Sequence, residues 1–343
     1  MGDSIVSIGI IGAGGMGGQH ALNMYSSLAG ARLVALSDKD ADKMESIARL
    51  TGNPHRYKDP YALILDKCVD AVVIASPDNT HAEFVLSCLE EGKPVFCEKP
   101  LATNLQDGLR IIEKEVSLGR KLVSLGFNRR FDPWHCDVRK ECQSGNLGKP
   151  LLWKGVHRNA SAMYANSGAF ILNNSAGHDV DSARWILDSE VQQVFVCGLK
   201  SRESLPMDAQ DLLIINMGME NGTRAVAEVY VNASYGYEVS VEVVCQEGVV
   251  STLAPEKIVV RNKSGRSVAL SDDFRQYFSE SYRMEMASWI ESIRNEQQFL
   301  GSDAWDGYSA MVVTQGASIS LASGKIVNLD ARKKPLLYNR LGI

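Results

Sequence analysis

The first third of the chain alternates between short apolar runs and stretches whose apolar residues repeat with helical spacing. The apolar runs, which predict strands, are Ile5–Ile11, Ala31–Ser37, Val69–Ala75, Val95–Cys97 and Leu122–Gly126. The intervening stretches, which predict helices, are 16–28, Ala41–Thr51, Tyr61–Leu65, a segment ending at Glu91, and Gln106–Leu118. Continuous apolar strands joined by helices are typical of a parallel sheet covered on both faces. We therefore expect a doubly wound α/β domain over residues 1–127.

The pattern changes after residue 127, where most of the predicted elements are strands. After a helix at about 132–144, β-branched or alternating runs predict strands at Leu151–Arg158, Val191–Lys200, Asp211–Met217, Arg224–Val231, Glu238–Cys245 and Lys257–Arg261. Further helices are predicted at about Asn174–Leu187, about Phe278–Asn295 and Ala304–Ser323. We expect residues 128–343 to form an α+β domain with a large, open, mostly antiparallel sheet. The second face of such a sheet needs a cover, which favours a homo-oligomer, either a dimer or a homotetramer.

A glycine-rich turn follows the first predicted strand. Gly12 permits a tight turn, Gly14 allows the backbone to approach a pyrophosphate, and Gly17 allows the next helix to pack closely. Asp38 ends the second strand about twenty residues later, where a carboxylate accepts ribose hydroxyls and repels a 2′-phosphate. The pattern predicts an NAD site with NADP as a weaker alternative, because Lys39 is adjacent. The cofactor-binding residues predicted here are Gly12, Gly14, Gly15, Met16, Gly17 and Asp38.

Polar residues also follow the third and fourth strands of this domain. Those after the third strand are Ser76, Pro77, Asn79 and His81, and those after the fourth are Glu98 and Lys99. Ligands of parallel sheets bind beyond the carboxyl ends of the strands, so we expect these residues to bind the cofactor. The sequence of 76–80 is also typical of a turn that caps a helix, and capping stays open as its alternative role.

Composition and charge exclude several other classes of function. The chain has 343 residues, is 45% hydrophobic and carries a formal net charge of −5 without a basic block, so nucleic acid and membrane surfaces are poor partners. Its apolar runs are too short to span a bilayer, and its first residues do not resemble a signal peptide. Its seven cysteines form no CxxC motif and no zinc-type cluster. We therefore expect reduced thiols, no metal site and a cytoplasmic location.

Several motifs resemble those of the glucose–fructose oxidoreductase/inositol dehydrogenase (Gfo/Idh/MocA) family. Glu98–Pro100 and the His178-x-x-Asp181 pattern are similar to motifs found throughout that family. The motifs that resemble its inositol-type branch more narrowly are His157–Asn159, Tyr235–Tyr237 and Ala304–Tyr308. The resemblance covers nearly the whole chain. It implies NAD(P)-dependent, reversible oxidation of a ring hydroxyl to a ketone on a cyclitol or sugar.

The resemblance also implies roles for individual residues. Lys99 would bind the substrate hydroxyl and help its proton depart, on a Lys99–Pro100 bond that we expect to be cis, and His178 would be the general base or acid. The residues implied to line the substrate pocket are Asn128, Arg129, His157, Asn159, Asn174, His178 and Tyr237. From spacing alone, Asn174, His178 and Asp181 share one helix face, where Asp181 could fix the tautomer of His178. Asn174 is also a good helix N-cap, and both of its roles stay open.

Two positions differ from the pattern of the inositol-type branch. Asn174 stands where that branch has an aspartate of the catalytic set, and Asn128 stands where it has an apolar residue. These differences favour, as an alternative, a sugar or glycoside dehydrogenase that forms a 3-keto sugar. A second alternative is an NAD-binding sensor without catalysis, although the presence of Lys99 and His178 argues against it.

Overall fold

The computed structural model describes residues 5–161, 167–252, 259–263, 265–268, 270–330 and 332–339. In chain order the strands are β1 Val6–Ile11, β2 Ala31–Ser37, β3 His55–Tyr57, β4 Ala71–Ile74, β5 Val95–Cys97, β6 Val123–Leu125, β7 Pro150–Arg158, β8 Val191–Leu199, β9 Leu212–Met219, β10 Arg224–Tyr230, β11 Glu238–Cys245, β12 Val249–Ser251, β13 Val259–Asn262, β14 Gly265–Val268, β15 Ser302–Asp303 and β16 Val327–Asn328. The helices are α1 Gly15–Ser27, α2 Ala41–Leu50, α3 Pro60–Leu65, α4 His81–Glu90, α5 Leu105–Leu118, α6 Pro133–Ser144, α7 Gly168–Asn174, α8 Ala176–Leu187, α9 Phe274–Tyr277, α10 Ser279–Arg294 and α11 Ala304–Ser323. In the described ranges no helix combines the length and the apolar character needed to cross a membrane.

The chain forms two compact units that are not continuous in sequence. The first comprises Met1–Asn128, Glu280–Met311 and Arg332–Ile343, and the second comprises Arg129–Ser279 and Val312–Ala331. A single boundary at residue 127 does not describe these units, because α10 and the C-terminal segment pack with the first.

The first unit contains a seven-stranded sheet in the order β15-β6-β5-β4-β1-β2-β3. All neighbouring strands are parallel except β15, which pairs antiparallel with β6. Side-chain caps define the starts of the helices that join the strands: Asp40 accepts a hydrogen bond from the N–H of Lys43, and Asn104 accepts one from that of Asp107. The predicted doubly wound α/β domain is confirmed.

The core of the first unit includes residues from distant parts of the sequence. Side chains of β1 and β2 pack with Met24 of α1 and Met44 of α2, and all are buried. Met286, Trp289 and Ile290 of α10 complete the same cluster. Trp289 is 1% exposed, so the last third of the chain contributes buried apolar surface that stabilises the first domain.

The second unit contains a seven-stranded sheet in the order β12-β11-β7-β10-β9-β8-β16. Its pairs are antiparallel except β7 with β10, as expected for a mostly antiparallel sheet. Residues alternate between buried and more exposed along β11 and most of β7, so each strand presents one side to the core. Helices α6 and α8 pack against β11 and β7 on the buried side. The predicted α+β class is therefore confirmed.

The differences from the predicted elements are local. The helix expected at about Asn174–Leu187 is α8, which begins at Ala176, whereas α7, which ends at Asn174, was not predicted. The strand expected at Lys257–Arg261 begins outside the described residues. Its described part lies in β13, which pairs with β14. Strand β3 was not predicted, because its three residues are polar or aromatic and show no apolar run.

Candidate active site

The glycine turn between β1 and α1 has the geometry that its sequence predicts. Gly12 has a φ of +100°, and a Cβ placed on it would lie 2.4 Å from the carbonyl oxygen of Ala75. A Cβ on Gly17 would lie 1.8 Å from the carbonyl oxygen of Gly12, so any side chain there would move α1 away from the turn. A Cβ on Gly14 would meet no atom within 4 Å. Gly12 and Gly17 are thus required by the fold, whereas Gly14 keeps space open in front of the turn.

Helix α1 offers its N-terminus to an anion. Its N-cap is Gly14, which has no side chain to cap the helix, and its first turn, which begins at Gly15 and Met16, contains no acidic residue. The first N–H groups of a helix have no partner within the helix, and the helix dipole is positive at this end. The turn therefore fits the pyrophosphate of a dinucleotide.

Several predicted cofactor residues line one cleft of about 480 Å³ in the first unit. Those among its lining residues are Gly12, Gly14, Asp38, Ser76, Pro77 and Asn79. Asp38 accepts hydrogen bonds from the backbone N–H of Ala13 at 2.6 Å and of Asp40 at 2.8 Å. A carboxylate has about four lone-pair sites, so Asp38 can still accept ribose hydroxyls while it holds the glycine turn in place. The residues present fit NAD.

Glu98 and His81, which were also predicted to bind the cofactor, lie in the interior of the first unit. Glu98 is 7% exposed, and its Oε1 lies 2.8 Å from Nε2 of His20. Burial alone raises the pKa of Glu98, but the hydrogen bond from His20 and the neighbouring positive charges lower it below its usual value. His81 is 1% exposed and contacts two backbone carbonyl groups. Lys99 follows Glu98, is half-buried, and forms the expected cis bond to Pro100.

A buried polar cluster in the second unit joins three of the predicted substrate residues. Nη1 of Arg129 donates to Oδ1 of Asp179 at 2.6 Å, and Nδ1 of His157 lies 2.8 Å from Oδ2 of the same carboxylate. The ring centroids of His157 and Tyr237 are 6.1 Å apart. Among the described residues, Nη2 of Arg129 has no hydrogen-bond partner. The cluster thus contains a buried donor that suits a ligand hydroxyl or carbonyl.

Electrostatics fix the protonation of this cluster. Burial raises the pKa of Asp179, but the opposite effect of Arg129 and His157 is larger. The pKa therefore lies below its usual value, and the carboxylate is ionised at neutral pH. Burial raises the pKa of Tyr237, which keeps its hydroxyl protonated and able to donate. Arg129 and His157 therefore contact one buried anion, and Tyr237 is a further buried hydrogen-bonding group beside His157.

The remaining predicted residues lie nearby in sequence but differ in their surroundings. His178 lies in the first turn of α8 beside Asp179, whereas Asn174 ends α7. Asn174 and His178 do not lie in one continuous helix, because α7 ends at Asn174 and α8 begins at Ala176. The N-cap position of α8 is likewise Ser175 and not Asn174. Asp181, expected to orient His178, accepts two hydrogen bonds from Arg130, at 2.5 and 3.0 Å.

Two asparagines predicted to line the substrate pocket take part in backbone and side-chain networks. Asn159 follows β7. Its backbone N–H donates to the carbonyl oxygen of Tyr230 at 2.8 Å, and its carbonyl oxygen accepts from the N–H of Ala233 at 2.9 Å. Asn128 is 2% exposed and donates from its side-chain amide to Oγ of Ser281 at 2.9 Å.

Comparison with known proteins decides the family. Residues 6–127 match the family model of an oxidoreductase family with an NAD-binding Rossmann fold, and residues 135–251 match the GFO/IDH/MocA C-terminal domain. The chain is 39% identical over 335 residues to the inositol 2-dehydrogenase of Rubrobacter xylanophilus, covering 98% of this chain and 96% of that protein. The chain belongs to the GFO/IDH/MocA oxidoreductase family. A second relative, inositol 2-dehydrogenase 1 of Saccharopolyspora erythraea, is 38% identical over 97% of this chain and 99% of its own.

Solved structures of GFO/IDH/MocA proteins resemble the whole chain. The myo-inositol dehydrogenase of Lactobacillus casei, in complex with NAD(H) and myo-inositol, has a TM-score of 0.92 and 28% identity, covering 98% of this chain and 100% of that one. The scyllo-inositol dehydrogenase of the same organism, with NAD(H) and scyllo-inositol bound, has a TM-score of 0.88 and 25% identity over 96% and 100%. The resemblance found in the sequence is confirmed, and the first domain is the NAD-binding Rossmann fold of this family.

Sequence reasoning missed two residues that the GFO/IDH/MocA fold of this chain places beside predicted ones. Asp179 links Arg129 to His157, and its only local signal is that it follows His178. His20 forms a hydrogen bond with Glu98, and the only feature of the sequence that could have indicated it is its place in the helix after the glycine turn. Asp179 and His20 are both far in sequence from the residues that they contact, so no local pattern connects them with those residues.

Proposed function

We propose that this protein is an NAD-dependent dehydrogenase that reversibly oxidises a ring hydroxyl of a cyclitol to a ketone. The observation that carries this proposal is the likeness, over the whole chain, to an inositol dehydrogenase solved with NAD(H) and myo-inositol. The inositol 2-dehydrogenases among its relatives, 39% and 38% identical, support the same substrate class.

The first unit supplies the cofactor site in this proposal. Bound NAD would supply the acceptor for the hydride of the carbinol carbon. The glycine turn and the N-terminus of α1 bind the pyrophosphate, and Asp38 accepts hydrogen bonds from the ribose hydroxyls. Ser76, Pro77 and Asn79, which line the same cleft, bind the remainder of the dinucleotide.

The second unit supplies groups that recognise a polyol. Arg129 and Tyr237 donate hydrogen bonds to ring hydroxyls, and Asp179 orients both Arg129 and His157.

Lys99 binds the hydroxyl that is oxidised and favours the loss of its proton, which His178 accepts as general base. Imidazole is the side chain most often used for this step.

The decisive experiment is an NADH absorbance assay of the purified protein with inositol isomers, hexoses and glycosides. We expect turnover with at least one inositol isomer. Lys99→Ala is expected to remove turnover while leaving NAD binding, measured by calorimetry, close to that of the wild type. Lys67→Ala, which changes an exposed lysine of the same unit, is the matched control. A wild-type protein that binds NAD but oxidises none of these compounds would contradict the proposal.

A second candidate, oxidation of a sugar or glycoside to a 3-keto product, rests on Asn174. An amide cannot take up a proton or offset the charge of Lys99 as the aspartate of the inositol-type branch would. If the substrate is a sugar, the assay will show higher kcat/KM for hexoses or glycosides than for inositols. Asn174→Asp is then expected to raise kcat/KM for myo-inositol relative to the sugar, whereas an unchanged ratio would separate Asn174 from substrate choice.

We also propose that the chain forms a homo-oligomer through the outward face of the second sheet. Pairing places Cys197, Ile214 and Glu228 in one row across this face, with Phe195 and Val226 in the next. Light scattering is expected to give more than one chain per particle. Ile214→Glu should reduce the particle mass, and Met207→Glu, at a 96% exposed residue off the sheet, should not.

We propose a cytoplasmic location because the cysteines form no disulfide bonds with one another. All seven are free thiols, and four of them are buried. Reduced thiols are typical of a reducing compartment. Cell fractionation that recovers the protein in a periplasmic or extracellular fraction would contradict this.

A further inference from the structure

His81 connects two loops of the first unit. It is the first residue of α4 and is 1% exposed. Its Nε2 lies 2.9 Å from the carbonyl oxygen of Ser76, in the loop that lines the cofactor cleft. Its Nδ1 lies 2.7 Å from the carbonyl oxygen of Pro100, which directly follows Lys99. One imidazole ring therefore spans the cofactor loop and the loop that carries the predicted catalytic lysine.

The chemistry of these contacts constrains the protonation of the ring. A backbone carbonyl oxygen can only accept a hydrogen bond, whereas a neutral imidazole has one N–H and one lone pair. At distances of 2.7 and 2.9 Å, a nitrogen lone pair facing a carbonyl oxygen is repulsive. Both contacts are satisfied only when both nitrogens of His81 carry hydrogen, that is, in the imidazolium form.

A buried imidazolium needs a negative charge close by, and Glu98 provides it. The carboxylate is 7% exposed and ionised, and it interacts with the charges of His20, Lys99 and His81. The only hydrogen bond of His20 among the described residues is the one from Nε2 to Glu98, because its Nδ1 has no partner. Glu98 therefore accepts a hydrogen bond from His20 and also interacts electrostatically with Lys99 and His81.

The surroundings of Glu98 keep its carboxylate in this place. A Cβ on Gly126 would lie 3.0 Å from Oε2 of Glu98, so the glycine leaves the room that the carboxylate occupies. The positive N-terminus of α4 disfavours a cation at His81, but this effect is opposed by Glu98 and by two charge-assisted hydrogen bonds.

We propose that His81 is a positioning residue which, as an imidazolium, fixes the cofactor loop at Ser76 to the Lys99–Pro100 segment. The consequence for catalysis is that Lys99 keeps its place with respect to the cofactor loop. That consequence rests on the proposed function, whereas the protonation of His81 does not.

Nitrogen NMR of the histidine rings tests the protonation directly. With histidine labelled in ¹⁵N, the wild-type protein near neutral pH is expected to show hydrogen on both ring nitrogens of His81, assigned by their loss in His81→Gln. His135 is the internal comparison, because only its Nδ1 has a partner, Asp132, at 2.6 Å, and its Nε2 has none among the described residues. A His81 ring with hydrogen on one nitrogen only would overturn the proposal.

Kinetics test the positioning role. The amide nitrogen of glutamine cannot reach two carbonyl groups on opposite sides, so His81→Gln is expected to lower kcat by about ten- to hundred-fold, because small displacements of a catalytic group cost that much. The KM for NAD should change less, since the glycine turn and Asp38 are untouched. His135→Gln, at a histidine that is also buried, should lose stability without a change in kcat.

The outcomes separate the two proposals. An inactive wild-type protein would contradict the proposed function and leave the NMR result to decide the state of His81. An active wild-type protein whose His81→Gln variant folds, as judged by circular dichroism, and keeps its kcat would overturn the positioning role. If that variant does not fold, the signals of the other five histidines are assigned from their own His→Gln variants, and the remaining signals, those of His81, still decide between one and two ring hydrogens.

Discussion

Asp38 supports the glycine turn in addition to its predicted part in ribose binding. One carboxylate oxygen accepts from Ala13 inside the turn, and the other accepts from Asp40 at the start of α2. Asp38, which was predicted from its sequence spacing to the glycines, therefore also holds the glycine turn in its conformation. Lysines line the same cleft: Lys39, Lys43 and Lys58.

The charge of Asp38 is expected to set the preference for NAD over NADP. Asp38→Asn keeps an oxygen that can accept from Ala13 but removes the charge that repels a 2′-phosphate, while the cleft lysines remain. We expect the ratio of kcat/KM for NADP to that for NAD to rise about tenfold, equivalent to roughly 1.4 kcal/mol. Asp107→Asn, at the start of α5, is the control. An unchanged ratio in Asp38→Asn would remove this residue from the ribose site.

At the scale of elements, the glycine turn and α1 are the part that the sequence predicts most completely. The turn, the strand before it and the helix after it are local in sequence, so spacing alone specifies them. The break between α7 and α8 is the opposite case, since the residues around Ser175 include no proline and no glycine closer than Gly177 that would indicate it. Tertiary packing of α8, whose residues are nearly all buried, decides where that helix begins.

Alanine at two of the glycines should separate the fold of this turn from its ligand. Gly17→Ala places a Cβ 1.8 Å from a backbone oxygen, so we expect the free energy of unfolding to fall by about 3 kcal/mol. Gly14→Ala meets no atom of the protein, so its melting temperature should stay unchanged while its Kd for NAD rises about tenfold or more. Calorimetry and thermal melts measure both quantities. Equal losses of stability in the two variants would contradict this account of the turn.

At the scale of the whole molecule, late segments of the chain complete the first unit. Tyr338 donates to Oε2 of Glu115 at 2.6 Å, and Oε1 of Glu115 accepts from the N–H groups of Leu122 and Val123. Burial raises the pKa of Glu115 to about 7, against these hydrogen bonds, which lower it. The contact joins residues 223 positions apart.

Glu115 should make the free energy of unfolding depend on pH. The unfolded chain releases this proton near pH 4.5 and the folded protein near pH 7, so the folded state binds more protons between these values. Stability is then complete below about pH 4.5 and falls by up to about 3 kcal/mol as pH rises to 7. Glu115→Gln, which can still bond Tyr338, should abolish this fall in urea titrations. Glu113→Gln, an exposed neighbour, should retain it.

The sequence was sufficient for the two fold classes, the cofactor turn and three members of the polar cluster, because each depends on local spacing or on a motif. It was insufficient for the partners of those residues. Asp179 matters through Arg129 and His157, and His20 matters through Glu98, and each pair is brought together only by folding. The first unit consists of three segments for the same reason: contacts between distant parts of the sequence form only on folding, so no local pattern indicates them.

The return of α10 to the first unit limits how this protein can be divided. A fragment that ends at residue 127 would contain every strand of the parallel part of the first sheet and the whole glycine turn. It would nevertheless lack Met286, Trp289 and Ile290, whose absence exposes apolar side chains of β1 and α1 to water. The dinucleotide-binding half is therefore not a portable module, and a fusion or a minimal cofactor sensor built from it must carry residues 280–311 as well.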